Sequence, residues 1–329
     1  MGRELYVENA VFRHWLDACA ALLEDELDKP LLEVMWNDEI LHQTAYTQPA
    51  LFAIEYSLAK VWDSWGLKPD LLIGHSIGEI AAACFAGVFS LADGLKLVAA
   101  RGRLMQSLPA GGEMLSVAAD EETVASHIAG MESDVSIAAI NGPASIVISG
   151  ASESIGKASE SLSDAGIKAT RLQVSHAFHS PLMEPILDAF RDVATKIQYC
   201  APNIPIVSNV TGTSLADDAI NADYWGSHLR GAVRFADGIQ AAIKLKVDTF
   251  IEMGPRPTLT ALGKRCIESG FGSWIPSMTP RSESSEMRRA AAQLYTQGGE
   301  LDWAAFFGQR PQRVVLPNYP WRRQRYWTE

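Results

Sequence analysis

Leu71-Leu72-Ile73-Gly74-His75-Ser76-Ile77-Gly78-Glu79 is an apolar run that breaks at Gly74, sets Ser76 between two glycines and opens into the helical pattern of Ile80 to Phe85. The order is strand, sharp turn, helix. Gly74 and Gly78 stand two residues either side of the serine, the G-x-S-x-G spacing in which missing side chains let strand and helix pack closely around a strained nucleophile. Such a turn raises the hydroxyl at a helix N-terminus, where free backbone N–H groups and the positive dipole end favour a developing oxyanion. Ser76 to Glu79 also fits S-x-x-E, a capping box that merely starts a helix. The two readings are compatible, but a capping box requires neither the paired glycines nor the apolar strand just upstream.

Upstream of this turn, residues 4 to 27 place Leu5, Phe12, Leu16, Leu23 and other apolar residues at a period near 3.6, as one or two amphipathic helices do. Thr47 before Gln48-Pro49-Ala50 reads as an N-cap that starts an apolar helix from Ala50 to Trp65, closed by Gly66. Downstream, a small-residue helix closes at Gly87, and another starts at Ser90 or Leu91 and runs to about Gln106 with Arg101 and Arg103 on it. Arginines on helices are mostly solvated, yet Arg101 follows Leu97-Val98-Ala99-Ala100. Facing a pocket beside a nucleophile, it would select an acyl group bearing a carboxylate through a bidentate fork.

Pro109-Ala110-Gly111-Gly112 marks a break. Strands are expected at Met114–Ala119, Val135–Ile140, Ser145–Ser149 and Lys168–Val174, with helices at Glu121–Ala129 and Glu153–Ala165 and a turn at Asn141-Gly142-Pro143. This βαββαβ order is a ferredoxin-like unit inserted into a larger α/β domain, with a ligand crevice between the two. The chain returns through Val174-Ser175-His176-Ala177-Phe178-His179-Ser180-Pro181. Either histidine alone is more often structural than catalytic, and as a metal pair they lack a nearby third ligand. As a base for Ser76, a histidine at the mouth of the crevice is what nucleophilic activation needs, and His179 is preferred to His176 because Ser180-Pro181 fixes a turn there.

Beyond this linker, strands at Pro205–Asn209 and Thr249–Glu252 alternate with helices at Asp223–Leu229, Phe235–Leu245 and Thr258–Glu268, completing an α/β sheet. A last helix, Glu286–Thr296, gives way to Asp302-Trp303 and a Pro-punctuated tail. The expected division is a large subdomain over 1–112 and 176–281, a small one over 113–175, and a C-terminal helix and linker over 282–329.

A chain of 329 residues, 47% hydrophobic and 20% charged, has room for a sizeable core in one or two domains. A net charge of −11 argues against a general nucleic-acid binder. The tail is the exception: Arg310, Arg313, Arg322, Arg323 and Arg325 alternate with Tyr319, Trp321, Tyr326 and Trp327, with no acid before Glu329. That mixture grips RNA in some proteins, but docking on an acidic partner domain suits this acidic chain better. Cys19, Cys84, Cys200 and Cys266 lie far apart, as free thiols in a reducing compartment do. No run reaches the length of a membrane span, the N-terminus shows no signal-peptide core, and Tyr6 stands where a myristoylation signal has a hydroxyl residue, so the expected location is cytoplasmic.

Gly74-His75-Ser76-Ile77-Gly78-Glu79, Arg101-Gly102-Arg103, Asn141-Gly142-Pro143, His176-Ala177-Phe178-His179 and Leu316-Pro317-Asn318-Tyr319-Pro320 together resemble the acyltransferase domain of a modular type I polyketide synthase, related to malonyl-CoA:acyl-carrier-protein transacylases. The resemblance spans nearly the whole chain. It implies an α/β-hydrolase-like large subdomain carrying a ferredoxin-like small one. It implies that Ser76 takes the acyl group from coenzyme A, that His179 acts as base and then acid, and that Arg101 pairs with the extender's free carboxylate. It places His75, Ile77, Asn141, His176 and Phe178 around the acyl group, and the stretch around His228 where a backbone carbonyl orients the catalytic histidine. The H-A-F-H form, with Ile77 after the serine, goes with malonyl in the family, whereas Y-A-S-H and a glutamine go with methylmalonyl. Phe178 fills the space an α-methyl needs, a difference of about 1–3 kcal/mol that leaves some leakage.

The resemblance implies no bound cofactor, malonyl-CoA as donor, the phosphopantetheine thiol of an acyl carrier protein as acceptor, and an adjacent ketosynthase met by the C-terminal linker; neither nucleic acid nor membrane is expected. The family's G-Q-G segment falls just before the residues matching Met1-Gly2-Arg3-Glu4-Leu5, so that first strand is expected either upstream or missing. The second oxyanion donor beside the Ile77 N–H depends on it, and one such donor is worth about 10²–10³ in rate. Two rival readings remain. A serine hydrolase or thioesterase would draw its acid from Asp120, Asp134 or Asp164, although these fall in the inserted unit and Arg101 serves no purpose for a neutral ester. A structural docking domain would rely on the basic aromatic tail alone.

Overall fold

Asn9 starts the first long amphipathic helix by accepting hydrogen bonds from the Val11 and Phe12 N–H groups, so that Phe12, Leu16 and Cys19 turn inward. It belongs to a run of four helices, α1 to α4 (Arg3–Glu8, Ala10–Leu22, Leu31–Met35 and Asp38–Leu41), of which α2, α3 and α4 lie against the long helix α5 (Thr44–Ser64) and α1 packs on α2. The computed structural model describes residues 1–216, 219–268, 270–308, 315–325 and 327. Helix α5 begins before the expected cap: Thr47 lies inside it, its hydroxyl donating to the Leu41 and Gln43 carbonyls, and Pro49 is carried within the helix. Burial of Phe52, Ile54, Leu58 and Trp62 outweighs the proline. Strand β1 (Leu72–Ile73) leads through the turn at Ser76 into α6 (Ile77–Phe85), and α7 (Leu91–Gln106) starts at Ser90, whose hydroxyl accepts from the Asp93 N–H.

The inserted unit follows the expected order: β2 (Gly112–Val117), α8 (Glu121–His127), β3 (Val135–Gly142), β4 (Ser145–Ala151), α9 (Ser152–Asp164) and β5 (Ala169–Arg171). Its strands lie in the order β3-β4-β2-β5, every neighbour antiparallel, which is the ferredoxin-like arrangement. Alternate residues of β2 and β4 meet Val124, Ile155, Ala158 and Leu162 in a core of their own. Strand β2 begins one residue before the expected boundary, and β5 is shorter than expected, leaving the sheet after Arg171. Strand β3 carries two irregularities near its end, where the Ile140 N–H donates to the Val233 carbonyl and the Val233 N–H to Ala138. These bonds tie the small sheet to the large subdomain and aim Asn141 at the turn that carries Ser76.

The chain returns through a 3₁₀ turn (Pro181–Ile186) and α10 (Leu187–Ala194), then β6 (Ile206–Val207), α11 (Ala222–Arg230), α12 (Phe235–Lys244), β7 (Thr249–Glu252), α13 (Thr258–Gly263), β8 (Ser273–Pro276), α14 (Ser284–Thr296) and α15 (Trp303–Phe307). One continuous sheet was expected. The described residues form two separate parallel pairs instead, β1 with β6 and β7 with β8. Between them lies a cavity of about 1190 Å³, bounded by Leu71–His75 on one side and Thr249–Gly254 on the other, with Met1 and Glu55 in its wall. Helix α13 stops at Gly263 rather than near Glu268, and a Cβ at Gly263 would lie 2.2 Å from the Trp274 ring, an approach only glycine permits.

Asp302 caps α15 and its N–H donates to Trp65, while Phe306 packs on the Trp65 ring at 4.8 Å. Past it, Val315, Leu316, Tyr319, Trp321 and Trp327 are exposed; Arg310, Arg313, Tyr326 and Glu329 of the expected tail lie outside the described residues. All four cysteines are free. Among the described residues, no helix is long and apolar enough to cross a membrane. Leu162 is fully buried in the small core, so Leu162→Ala should lower unfolding free energy by about 2–5 kcal/mol in urea titrations. A loss under about 1 kcal/mol would mean that this core adds little to the cooperative unit.

Candidate active site

Ser76 stands at φ 52° and ψ −112°, a conformation that L-residues adopt only under constraint. A Cβ at Gly74 would fall 2.0 Å from the Glu79 nitrogen, so the approach of strand to helix demands glycine there. Gly78 is different: a Cβ would meet Glu55 Oε2 at an ordinary 3.6 Å. The capping box does not form. Ser76 Oγ makes no bond to the first turn, and the Glu79 carboxylate turns inward, accepting from the Asn209 N–H at 2.6 Å and from the Tyr224 hydroxyl. The Ser76 N–H donates to Asn209 Oδ1 at 2.7 Å. The Ile77 N–H has no acceptor among the described residues, which leaves it open to an oxyanion.

Ser76 Oγ lies 2.9 Å from His179 Nε2 and 3.0 Å from Arg101 Nη2. His179 Nδ1 lies 2.8 Å from the Gly231 carbonyl, which can only accept, so Nδ1 carries the proton and the Nε2 lone pair faces the serine. The sequence pointed to the stretch around His228 for this carbonyl. The oxygen belongs instead to Gly231, the C-cap of α11, three residues on; the His228 ring sits 6.4 Å from that of His179, buried, its Nε2 3.7 Å from Glu79 Oε2 and without a hydrogen-bond partner among the described residues. The chain leaves the helix at Gly231, and the carbonyl so released is the one aimed at His179.

Arg101 is 2% exposed, yet its hydrogen-bond partners are neutral: Nη1 donates to Gln48 Oε1 at 2.9 Å, Nη2 donates to Ser76, and Nε has no partner among the described residues. Burial pushes its pKa down to about 9, which still leaves it a cation at neutral pH. A buried cation without a counter-ion is costly, and an incoming carboxylate relieves that cost. Burial, then the Arg101 charge, push His179 down to about 3, so the imidazole is a neutral acceptor.

His75 Nε2 donates to Asn141 Oδ1 at 2.8 Å, linking the elbow to the end of β3. Phe178 is half-buried and packs against both cores, while His176 is buried with Nε2 3.3 Å from the Leu108 carbonyl and Nδ1 unpaired. His176 thus takes no part in the contact with Ser76. Arg103 points away, to Glu26 at 3.6 Å. Asp120 caps α8, and the bonded partner of His179 Nδ1 is the Gly231 carbonyl rather than Asp120, Asp134 or Asp164. Among the described residues, no cluster of three or more His, Cys, Asp and Glu could hold a metal ion. Sequence reading missed Gln48, Asn209, Tyr224 and the inward role of Glu79. Gln48 was hidden in a supposed helix start, and Asn209 at the end of an expected strand.

The profile of the acyl transferase domain matches residues 1–300. The chain belongs to this acyltransferase family. It is 42% identical to Polyketide synthase GfsA of Streptomyces halstedii over 344 residues, covering 100% of this chain and 5% of that protein. It is 43% identical to Mycoketide-CoA synthase of Mycobacterium tuberculosis over 330 residues, covering 99% of this chain and 8% of that one. The chain therefore spans a small part of these long relatives. The acyltransferase domain from the second module of the salinomycin polyketide synthase superposes with a TM-score of 0.91 at 46% identity, covering 96% of this chain and 75% of that one. The malonyl CoA-acyl carrier protein transacylase of Clostridium perfringens superposes at 0.81 with 28% identity, covering 90% and 93%. This acyltransferase domain has the α/β-hydrolase-like large subdomain and ferredoxin-like small subdomain that the sequence led us to expect.

The buried cluster also sets a pH dependence. His179 and His228 are lowered from 6.5, so the stability they contribute is present above about pH 6.5 and is lost as pH falls towards their folded values. Glu79, pushed up by burial to about 7, works the other way, its contribution being lost as pH rises from 4.5 through 7. Glu55, raised by burial to about 8, acts in the same sense as Glu79, so the two carboxyls offset most of the uptake by the two histidines between about pH 6 and 5.

Proposed function

We propose that this domain loads an extender unit, malonyl from malonyl-CoA, onto the phosphopantetheine thiol of an acyl carrier protein through an acyl-enzyme at Ser76. The observation that carries the proposal is the buried Arg101 guanidinium, without a counter-ion, bonded to the same hydroxyl that His179 contacts. As Ser76 Oγ attacks the thioester carbonyl, its proton passes to His179 Nε2 and the carbonyl electrons move to oxygen, facing the Ile77 N–H. Collapse expels the coenzyme A sulfur, which takes the proton from His179. The carrier's thiol then gives its proton to His179 and attacks the acyl-serine, and the same imidazole returns a proton to Ser76 Oγ.

The malonyl carboxylate pairs with Arg101. Because the Arg101 charge is one of the causes that depress His179, this pairing also makes the imidazole a better base. An anionic acyl group thereby strengthens the base that it needs. Asn141, His75, Ile77 and Phe178 bound the acyl site from the two subdomains, with His176 behind Phe178. Residues 1–112 and 176–281 form the large subdomain, 113–175 with Gly112 of β2 the small one, and 282–329 a C-terminal helix packed on the large core followed by a linker, whose exposed aromatics and arginines dock on a neighbouring ketosynthase domain in a cytoplasmic synthase.

Intact-mass measurement after mixing with malonyl-CoA should show one malonyl adduct that Ser76→Ala abolishes, and addition of carrier protein should discharge it. An unmodified protein would sink the proposal; discharge to free malonate at the same rate with or without carrier would make it a hydrolase. Arg101→Ala should lower kcat/KM for malonyl-CoA by about 10²-fold or more while sparing acetyl-CoA. Phe178→Ser should narrow the preference for malonyl over methylmalonyl by about 10–200-fold. An unchanged ratio would remove Phe178 from the specificity wall.

A further inference from the structure

The strained Ser76 backbone needs something to hold it, since such a conformation costs about 1–3 kcal/mol and persists only where its surroundings fix it. Its own helix does not supply the restraint, because the capping box is absent. The bonds run through the loop after β6. Asn209 is 2% exposed; its Oδ1 accepts from the Ser76 N–H at 2.7 Å, and its Nδ2 donates to the Gly74 carbonyl at 2.9 Å. One amide thus grips the elbow on both sides of His75.

Asn209 is itself fixed. Its backbone N–H donates to Glu79 Oε2 at 2.6 Å, and the other Glu79 oxygen takes the Tyr224 hydroxyl. Tyr224 lies 2.8 Å from Ser208 Oγ, which also accepts from the Val210 and Thr211 N–H groups and so shapes the loop that presents Asn209. Glu79 and Ser208 are fully buried, and β6 pairs with β1 at Leu72–Ile206 and Ile73–Val207, so the loop starts in register with the elbow. The ring is closed: Ser76 to Glu79 along the helix, Glu79 to Asn209, and Asn209 back to Ser76. It is a capping box with a residue from another strand interposed.

We propose that Asn209 is a positioning residue for acyl transfer: by engaging the Ser76 N–H and the Gly74 carbonyl it aims Ser76 Oγ at His179 and leaves the Ile77 N–H as the elbow's oxyanion donor. The inference rests on Ser76 being the nucleophile, and Asn209 acts through Ser76 without touching substrate. The amide matters as a donor and an acceptor at once. A protonated carboxyl offers the same pair, O–H to Gly74 and C=O to Ser76, whereas a carboxylate sets a second acceptor against the Gly74 carbonyl.

The test compares Asn209→Leu and Asn209→Asp with the wild type, reading Ser76 labelling by a fluorophosphonate per folded molecule and the kinetics of malonyl-CoA. Asn209→Leu should slow labelling and kcat by about 10–100-fold with KM for malonyl-CoA within about twofold, because a displacement near 1 Å costs rate rather than binding at Arg101. Asn209→Asp should be slow at pH 8 and recover about tenfold or more by pH 6, where wild-type labelling does not rise. Wild-type rates per folded molecule in both variants, with only stability lost, would overturn the inference. If neither variant folds, hydrogen exchange on the wild type decides: strong protection of the Ser76 amide supports the clamp, and free exchange overturns it. A wild-type Ser76 that the probe fails to label would sink the nucleophile reading instead, and amide exchange would still judge the clamp.

Discussion

A guanidinium held out of water with no anion beside it is the constraint around which the rest of the site is arranged. Arg101 reaches its position because α7 packs its apolar face against α5, and Gln48 on α5 meets Nη1. Gln48 is itself held, donating to Met105 Sδ at 3.1 Å, one turn along α7 from Arg101. Two helices of the large subdomain therefore fix a charge that their own residues leave unneutralised. The charge acts at a distance too, since it helps keep His179 and His228 neutral. A substrate with a free carboxylate completes the electrostatics of the site, and a neutral one does not.

The second organising feature is the junction of the two subdomains. The small sheet alone would be a separate body with its own core. The hydrogen bonds between Val233 and the end of β3, with Phe235 and Ile239 reaching into that core, bind it to α12. Its contribution to the site is correspondingly exact in placement: Asn141 meets His75, and Ser136 Oγ donates to the His179 carbonyl at 2.8 Å. His179 sits at positive φ just where the chain re-enters the large subdomain, so both Ser76 and the histidine it meets occupy constrained backbone.

Local patterns made much of this legible. The strand patterns of β2 to β4 and the helix start at Ser90 gave the inserted unit and α7 nearly as expected, because those signals depend on neighbours in sequence. Ser76, Arg101 and His179 were legible for a different reason: each is a chemically active side chain in a context that solvation alone does not explain. What escaped notice depends on partners far along the chain. Glu79 fits a local capping box, and only the approach of β6, some 130 residues later, diverts it to Asn209. The orienting oxygen at Gly231 is a backbone group, which no residue type announces. The break in the large sheet was equally invisible, since strand pairing is set by tertiary contacts rather than by the strands' own residues.

Gly231 has a further bearing on how long an acyl group would stay on Ser76. A carboxylate behind an imidazole stabilises the imidazolium and makes a strong base, whereas a carbonyl orients the ring with less charge stabilisation. Water, with a pKa of about 15.7, needs strong deprotonation to attack an ester, but a thiol near 8.5 is already partly ionised at neutral pH. On the proposed reading, a weak base discriminates between acceptors by their acidity, so the loaded serine resists wasteful hydrolysis and persists until a sulfur nucleophile arrives. A backbone oxygen in place of a side-chain acid is then a timing device.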